Sequence, residues 1–395
     1  MPILSNNYNG KFVPDGVGHI LHNPAKRKAF INNVLNLCLK NKFIGINLDL
    51  EELKENSDEY LTTFVREMAT AFHSHGLLIT QDIMPFNTDY DVQNLAYYDD
   101  YLFLMAYDEY SLDSDPGPIS SQRWIEAALD DLARKVPNDK IVLGLAAYGY
   151  DWCDDKDQNE NLSYADAIGK ANGCGSKIIF NNNTYNLNYA FSDYNDLVHQ
   201  VYFTDAATNF NVMRFGVEYG LAGFGLWRLG SEDNRLWTFY DKDLSESQVN
   251  KISKSSLETV PFVNGVNYIG DGEILDPVKI PQRGDIRMEV DSTEMLISEE
   301  DYLKIPSPYI IHKYGEAPPR QLLLTFDDGP DARWTPQILK ILARYHIKAA
   351  FFMVGLQVEA NLPIVKQVYE QGHIIGNHTF THRNVANNKT DHNTG

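Results

Sequence analysis

Short apolar runs alternate with amphipathic stretches over the first 240 residues of the chain. Strands separated by helical stretches are typical of parallel β/α architecture. Six of the apolar runs are predicted to be strands: residues 2–7, 43–49, 77–82, 101–107, 141–149 and 223–227. A closed (β/α)8 barrel has eight strands in about 250 residues. The pattern therefore predicts a TIM-type barrel that lacks its first two strands.

Two of the amphipathic stretches predict helices that cover this barrel. The first follows Ser57 as its N-cap and ends at Gly76, and the second begins near Ser121. Apolar residues recur in both at the three- and four-residue spacing of a single helix face. We expect these residues to face the core: Leu61, Phe64, Val65, Met68 and Phe72 in the first helix, and Trp124, Ile125, Leu129 and Leu132 in the second.

Changes in composition divide the chain into three predicted parts. Residues 1–245 form the barrel, and residues 152–212 within it, rich in Asn, Asp and Tyr, are predicted to be an inserted α+β lobe. Residues 246–315 contain many Pro, Gly and acidic residues and are predicted to be a connector with some β structure. A new β/α pattern starts near residue 321 and stops in a polar tail. Residues 316–395 are therefore predicted to be the first half of a second β/α barrel.

Charge and composition limit the partners of the chain. Its formal net charge of −20 argues against nucleic acid, because phosphate binding needs a basic surface. No run of 18 apolar residues exists, so we expect no membrane span, and no signal region follows Met1. The three cysteines form no metal-ligand pattern. Cys38 is expected to be buried, whereas Cys153 and Cys174 lie in one polar segment and could form a disulfide.

The segment FIGINLDLEEL carries the first candidate chemistry. Side chains alternate along a strand, so Asn47, Asp49 and Glu51 share one face while the intervening apolar residues share the other. In a parallel barrel this polar face meets the carboxyl-terminal mouth, where such folds keep their active sites. Two neighbouring carboxylates disfavour double ionisation, which suits a general acid. The alternative is an acidic strand end that only caps the next helix, and the motif by itself supports both equally.

Three further segments resemble a known family when they are taken together with this motif. They are MAYDEY at 105–110, GLAAYGYDW at 144–152 and GFGLWRLGSED at 223–233, each at a predicted strand end. The set resembles glycoside hydrolase family 18, the chitinase family, and in particular its branch with spore-germination and cortex-lytic hydrolases. The likeness covers about 240 residues, including the lobe before the last strand. In that family the acidic signature lies on the fourth strand, which agrees with two missing strands.

The resemblance implies catalytic roles for three residues. Glu51 is similar to the acid that protonates the glycosidic oxygen, and Asp49 to the neighbour that orients the 2-acetamido group of the substrate. Tyr107 matches a tyrosine that contacts the same group. The acetamido oxygen is the nucleophile in this family, which is an exception to the two-carboxylate scheme. No cofactor is implied for the barrel.

The resemblance also implies substrate contacts, and the chain departs from it at two positions. The substrate-binding candidates are Asn47, Asp108, Tyr148 and Trp227, with Trp227 as the aromatic floor under the reactive sugar. Ile44 stands at the outermost aspartate position of the family signature, and Asn47 at the next. These departures favour the alternative that the barrel binds glycan without cleaving it, whereas the retained Asp49 and Glu51 oppose it.

A second candidate site lies near the end of the chain. TFDDGPD places Asp327 and Asp328 at the end of a predicted strand, and HTFTH places His378 and His382 four residues apart. That spacing lets two imidazoles meet one ion from a single helical turn, and a carboxylate completes a set suited to a divalent metal. Taken alone, the aspartate motif is better explained by a turn, and the histidine motif by two surface histidines. Their coincidence at strand ends of one β/α unit favours a metal site.

These residues resemble the first two motifs of polysaccharide deacetylases, carbohydrate esterase family 4. The likeness implies that Asp327 is the catalytic base and that Asp328, His378 and His382 hold a divalent metal, for which Zn²⁺ is expected. The later motifs of that family, which include its catalytic acid, are not found before residue 395. We therefore expect a complete ligand set in an incomplete deacetylase domain.

Both resemblances lead to one functional expectation. The chain is predicted to come from a bifunctional carbohydrate-active hydrolase that cleaves β-linked N-acetylglucosamine glycans and removes their N-acetyl groups. Its expected partner is chitin, peptidoglycan or poly-N-acetylglucosamine, with the parent protein outside the cytoplasm or anchored in a bacterial cell envelope. The alternatives are a non-catalytic glycan-binding barrel joined to the deacetylase, and an inactive fragment of such a protein.

Overall fold

A computed structural model describes residues 1–53, 58–88, 90–253, 255–262, 266–315 and 322–383. The chain forms two compact units. The first contains residues 1–270 and 275–312, and the second contains residues 271–274 and 313–395. Most of the segment predicted as a connector therefore belongs to the first unit. The domain limits drawn from the sequence stay predictions.

A six-stranded parallel sheet forms the centre of the first unit, and its strands are paired in chain order. The strands are Ile3–Ser5, Gly45–Asp49, Leu78–Ile83, Tyr101–Leu104, Ile141–Ala146 and Gly223–Trp227. All six lie within or next to the six apolar runs of the sequence. The predicted parallel β/α architecture is thereby confirmed. Because the strands are parallel, their carboxyl ends meet at one edge of the sheet.

Helices connect the strands and bury their apolar faces against the sheet. They are Pro14–Leu21, Pro24–Asn41, Asp58–His73, Val92–Tyr98, Gln122–Ala133 and Ala206–Glu218. The five apolar residues predicted to face the core in the third helix are at most 2% exposed. Ser57, its predicted N-cap, lies outside the described residues. In the fifth helix Ile125, Leu129 and Leu132 are buried, and Trp124 packs against the same core.

The inserted lobe is an α+β unit whose core also includes Val260, Ile286 and Tyr302 of the segment after the barrel. Its antiparallel strands are Gly149–Cys153, Glu160–Leu162, Ile179–Asn181, Asn186–Ser192 and Val198–Phe203, and its helix is Tyr164–Cys174. The strand predicted over 141–149 is wrong at its end, because the barrel strand stops at Ala146 and Gly149 begins the lobe. Cys153 and Cys174 are unpaired, so the possible disulfide does not form.

The segment after the barrel contains a β-hairpin, Gly284–Val290 and Ile297–Lys304, that packs against the barrel within the first unit. The other elements of the segment are the short helices Glu246–Val249 and Ser255–Glu258 and the strands Thr259–Val260, Val266–Ile269, Ile274–Lys279 and Tyr309–Tyr314. The amide of Asn211 donates to the Ile297 carbonyl at 2.8 Å, and the Ile297 amide donates back at 2.7 Å. These two bonds join the hairpin to a barrel helix.

The second unit contains a three-stranded parallel sheet with helices packed on it. Its strands are Thr325–Gly329, Ala350–Met353 and Ile374–Asn377, and its helices are Thr335–Arg344, Gly355–Ala360 and Leu362–Glu370. Leu339, Leu342, Phe351 and Val368 are among the residues of its core. Among the described residues of both units, no helix combines the length and apolar character required to cross a bilayer.

Candidate functional sites

Hydrogen bonds to two side chains hold the backbone around Glu51 in place at the mouth of the first sheet. The Asn6 side chain accepts from the Glu51 amide at 2.9 Å and donates to the Glu51 carbonyl at 2.8 Å. The Tyr90 hydroxyl donates to the neighbouring Leu50 carbonyl at 2.8 Å. Side chains from two other parts of the chain thus fix the backbone that presents this acid.

A polar network connects the acidic strand with the next strand. Thr80 donates from its hydroxyl to Asn47 Oδ1 at 2.6 Å, and Asn47 Nδ2 donates to Asp82 Oδ2 at 2.7 Å. Asn47 pairs with Thr80 in the sheet register, and Asp82 lies two residues further on the same face. The amide of Asn47 is therefore fixed in orientation, and a carboxyl group that the sequence motifs did not include lies beside it.

The surroundings of these acids favour their protonated forms. Partial burial raises the pKa of Glu51 to about 8, and the nearby Asp49 carboxylate, which hydrogen-bonds with Glu51, adds to that rise. Burial likewise raises the pKa of Asp82 to about 7, with the Asn47 hydrogen bond opposing the rise and the charge of Asp49 supporting it. Glu51 consequently carries a proton at neutral pH, as a general acid must.

Two tyrosines fix the carboxylate that follows the fourth strand. Asp108 adopts a left-handed backbone conformation with φ of 58°. Its Oδ1 accepts hydrogen bonds from the hydroxyls of Tyr148 and Tyr150, the latter at 2.7 Å. Tyr148 is only 2% exposed, so this contact makes it a support for Asp108. A direct contact of Tyr148 with substrate stays a prediction.

Tyr107 is half-buried between the acids and a glycine. Burial, followed by the negative charge of Asp82, raises the pKa of its phenol, which therefore stays protonated and able to donate. A Cβ added at Gly144 would lie 2.8 Å from the Tyr107 ring, so only glycine leaves room for the ring there. The sheet brings Tyr107, Asp49 and Glu51 within electrostatic reach of one another.

Trp227 lies at the carboxyl end of its strand, whereas Ile44 lies just before the amino end of the acidic strand. Trp227 is the last residue of the sixth strand, is 50% exposed, and accepts from the Ala147 amide through its carbonyl at 2.7 Å. An exposed indole at the mouth can supply an apolar face for a sugar ring. Ile44 precedes its strand and is 65% exposed.

A second site is formed by three residues of the second unit. Asp328 Oδ1 lies 3.1 Å from His378 Nε2 and 3.0 Å from His382 Nε2. One ligand atom from each residue lies within 4.8 Å of the others, so a single ion could be bound by all three. An anionic oxygen with two imidazole nitrogens fits a divalent transition metal with open coordination positions.

The side chains of Asp327 and Asp328 do not follow the regular alternation of a strand, because the backbone is irregular there. A register irregularity lies between Phe326 and Gly329, where Asp327 and Asp328 oppose a single residue of the next strand. Asp328 also has a φ of 68°, in the left-handed region. Both aspartates are exposed. The bulge thus changes the direction of Asp328, while the role of Asp327 as a base stays a prediction.

The two histidines come from a loop, so the prediction of a helical turn is wrong. Residues 378–383 have no helical structure, and Thr379 and His382 have positive φ angles of 63° and 55°. The amides of Gly355 and Leu356 donate to the carbonyls of Thr379 and Phe380, each at 3.0 Å. These backbone hydrogen bonds, and not the periodicity of a helix, bring the two imidazoles together.

The two sites differ in their groups. The first is a pair of neighbouring carboxyl groups at the carboxyl edge of a parallel β/α sheet, and the second is a carboxyl group with two imidazoles that could hold an ion. Residues 12–233 match the family model of glycosyl hydrolases family 18, which is more than half of the chain, so the chain belongs to this family. Residues 314–394 match the family model of polysaccharide deacetylase, so the chain also contains part of a deacetylase domain.

Relatives and solved structures support both assignments. The cortical fragment-lytic enzyme of Bacillus anthracis is 26% identical over 255 residues, 60% of this chain and 58% of the relative. A peptidoglycan-N-acetylglucosamine deacetylase of Bacillus cereus is 47% identical over 70 residues, 18% of this chain and 33% of the relative. A chitinase structure from Chromobacterium violaceum has a TM-score of 0.56 at 27% identity, covering 60% of this chain and 76% of its own.

The chain spans 56% and 58% of the length of two curated relatives that it matches over the first domain, and 71% of a third. The sequence motifs also missed three residues of the first site. Asp82 ends a predicted strand and could have been found from that position. Tyr150 lies in the segment 144–152 that carries the family resemblance, but neither that position nor the position of Asn6 indicates a role, because both roles depend on hydrogen bonds across the fold.

Proposed function

We propose that the chain acts in the remodelling of N-acetylglucosamine glycans, with hydrolysis of β-linked chains by the first unit and N-deacetylation by the second. The single observation that carries the first activity is the Glu51 carboxyl group, protonated at neutral pH and fixed beside Asp49 at the sheet mouth. The observation that supports the second is the triad of Asp328, His378 and His382.

In the proposed hydrolysis, Glu51 donates its proton to the glycosidic oxygen while the bond from that oxygen to C1 breaks. The 2-acetamido oxygen of the same sugar forms a new bond to C1. Water then attacks C1 and gives a proton back to Glu51, which restores the acetamido group and the acid. Asp49 stabilises the positive charge on the acetamido nitrogen, and Tyr107 donates a hydrogen bond to this group. Both residues act within electrostatic reach of Glu51.

Substrate binding is assigned to the residues around this centre. Trp227 offers an exposed indole face to the reactive sugar, and Asp108 is held ready by two tyrosine hydroxyls. Asn47 is a polar contact from the strand itself, and Tyr148 acts through Asp108. An aromatic face combined with a few fixed polar groups is the usual composition of a carbohydrate cleft.

In the proposed deacetylation, Asp328, His378 and His382 would hold a divalent cation, for which Zn²⁺ suits two imidazoles and one carboxylate. When bound, the cation would supply a Lewis acid for the carbonyl oxygen of the acetyl group. Asp327 would accept a proton from the water as the water oxygen forms a bond to the acetyl carbon. The bond from that carbon to nitrogen would then break as the nitrogen takes up the proton held by Asp327, releasing the free amine and acetate. Both aspartates are exposed, which leaves them accessible to a polysaccharide.

Such substrates place the protein at the cell envelope. Chitin, peptidoglycan and poly-N-acetylglucosamine share the acetamido sugar on which both activities depend, and all lie outside the cytoplasm. The names of the similar proteins refer to the lysis of cortical fragments and to peptidoglycan, which supports an extracytoplasmic site of action. The net charge of −20 agrees with an uncharged or cationic glycan as the partner.

Cleavage of matched oligosaccharides tests the first activity. The chain is incubated with N-acetylglucosamine pentamer and with glucosamine pentamer, and products are measured by mass spectrometry. We expect cleavage of the acetylated pentamer alone, because the acetamido oxygen is the nucleophile. Equal cleavage of both pentamers would contradict the mechanism. Binding of the acetylated pentamer without cleavage would support a glycan-binding barrel instead.

A further inference from the structure

Asp82 is a half-buried carboxyl group of the first site that the proposed hydrolysis does not use. It lies on the strand next to the acidic strand, and its Oδ2 accepts from Asn47 Nδ2 at 2.7 Å. Asn47 in turn accepts from Thr80 at 2.6 Å, so the amide nitrogen is directed at Asp82. This contact joins residues 35 positions apart in the chain.

The charge of Asp82 acts on two acids of the site. Its carboxylate contributes to the raised pKa of Glu51, and it is the strongest charged influence on the pKa of Tyr107. The charge of Asp49 acts in turn on Asp82, while Glu52 acts on Glu51 and Asp108 acts on Tyr107. All of these groups are acidic, so a negative charge on Asp82 makes the ionisation of Glu51 and Tyr107 less favourable.

We propose that Asp82 is a positioning residue of the hydrolase site. The acidic strand carries an amide at Asn47, and Asp82 supplies a carboxyl group beside that amide from the neighbouring strand. Asn47 orients Asp82 and is oriented by it. The carboxyl group of Asp82 adds a negative charge beside Glu51, and this charge extends to higher pH the range in which Glu51 keeps its proton, in addition to the larger effects of burial and of Asp49. This inference rests on the proposed hydrolysis.

Two substitutions separate charge from structure. Asp82→Asn keeps an oxygen that can accept from Asn47 but removes the charge, whereas Asp82→Ala removes both. Loss of a nearby negative charge makes ionisation of Glu51 easier. In Asp82→Asn we expect the alkaline limb of the kcat profile to move to lower pH by about half a unit or more, with KM changed less than about twofold. A role that is only structural predicts a wild-type limb for Asp82→Asn and losses for Asp82→Ala alone.

A carboxyl exchange sharpens the test. The double variant Asn47→Asp with Asp82→Asn moves the carboxyl group to the other member of the hydrogen-bonded pair. We expect the alkaline limb of its kcat–pH profile to return toward the wild-type position. Asp139→Asn is the matched control, because Asp139 is exposed and lies at the opposite, amino end of a barrel strand. A shift in that control equal to the shift in Asp82→Asn would overturn the inference.

Titration of the carboxyl groups decides the inference even when no turnover is found. In protein labelled with ¹³C at Asp and Glu carboxyl carbons, we expect two groups with midpoints near pH 7 and pH 8. Asp82→Asn should remove the first and move the second to lower pH. An unmoved second midpoint would overturn the role of Asp82. Absence of turnover with both titrations as expected would reject the proposed hydrolysis and retain the coupling of Asp82 to Glu51.

Discussion

Carboxyl groups lie at the centre of both candidate sites, but their surroundings differ. In the first unit, Asp49, Glu51 and Asp82 are half-buried beside one another, and the raised pKa values of Glu51 and Asp82 follow from that burial and that proximity. In the second unit, the Asp328 side chain is 67% exposed and lies between two imidazole nitrogens at 3.0 and 3.1 Å.

The difference shows how surroundings select the chemistry of one functional group. Carboxyl groups that are desolvated and crowded by like charges keep a proton, and can give it to a leaving group. A solvated carboxyl group beside two imidazole nitrogens offers the kind of ligand set that a divalent cation prefers. The difference between the two sites therefore supports the proposed proton transfer at the first and the proposed cation binding at the second.

The largest expected effect is on proton transfer at the first site. Glu51→Gln removes the acid but keeps the shape of the side chain, so hydrolysis of the acetylated pentamer should fall by about 10²–10⁴-fold while its binding is retained. Reducing-end release measures the first quantity and calorimetry the second. Glu246→Gln, at an exposed helix start, is the control and should match wild type. Unchanged hydrolysis by Glu51→Gln would remove Glu51 from the mechanism.

The next effect concerns cation binding at the second site. His378→Ala and His382→Ala should each weaken Zn²⁺ binding by roughly 10²-fold, because each removes one of three ligands. Isothermal titration with Zn²⁺, and its reversal by a chelator, measure the loss. His346→Asn is the control, since His346 is exposed in the same unit and lies outside the triad. Equal affinity in the two alanine variants and wild type would show that Zn²⁺ binds elsewhere.

The smallest effect is on stability, and its sign follows from the raised pKa of Glu51. A carboxyl whose folded pKa is about 8 against a usual 4.5 favours the fold below pH 4.5, and this contribution is lost as pH rises toward 8. Glu51→Gln should therefore melt about 2–4 °C higher than wild type near pH 9, after allowance for solvent screening, and equally near pH 4. Thermal unfolding by circular dichroism at both pH values measures this. A lower melting temperature at pH 9 would contradict the raised pKa.

The sequence alone determined the order of strands and the face on which the acids lie. Side-chain alternation places Asn47, Asp49 and Glu51 together, and helical spacing identified the buried face that includes Leu61 and Val65. These patterns are local, because they depend on the geometry of one strand or one helix. They needed no knowledge of the neighbours of either element.

Only the tertiary structure decided which distant residues complete each site. Asn6 lies 45 residues from Glu51 and Asp82 lies 35 from Asn47, and the sheet register alone makes them neighbours. The spacing of the two histidines predicts a helical turn, but backbone hydrogen bonds from Gly355 and Leu356 hold the motif as a loop. Spacing along the chain fixes contacts within an element, whereas contacts between elements depend on strand pairing and packing, which the spacing does not encode.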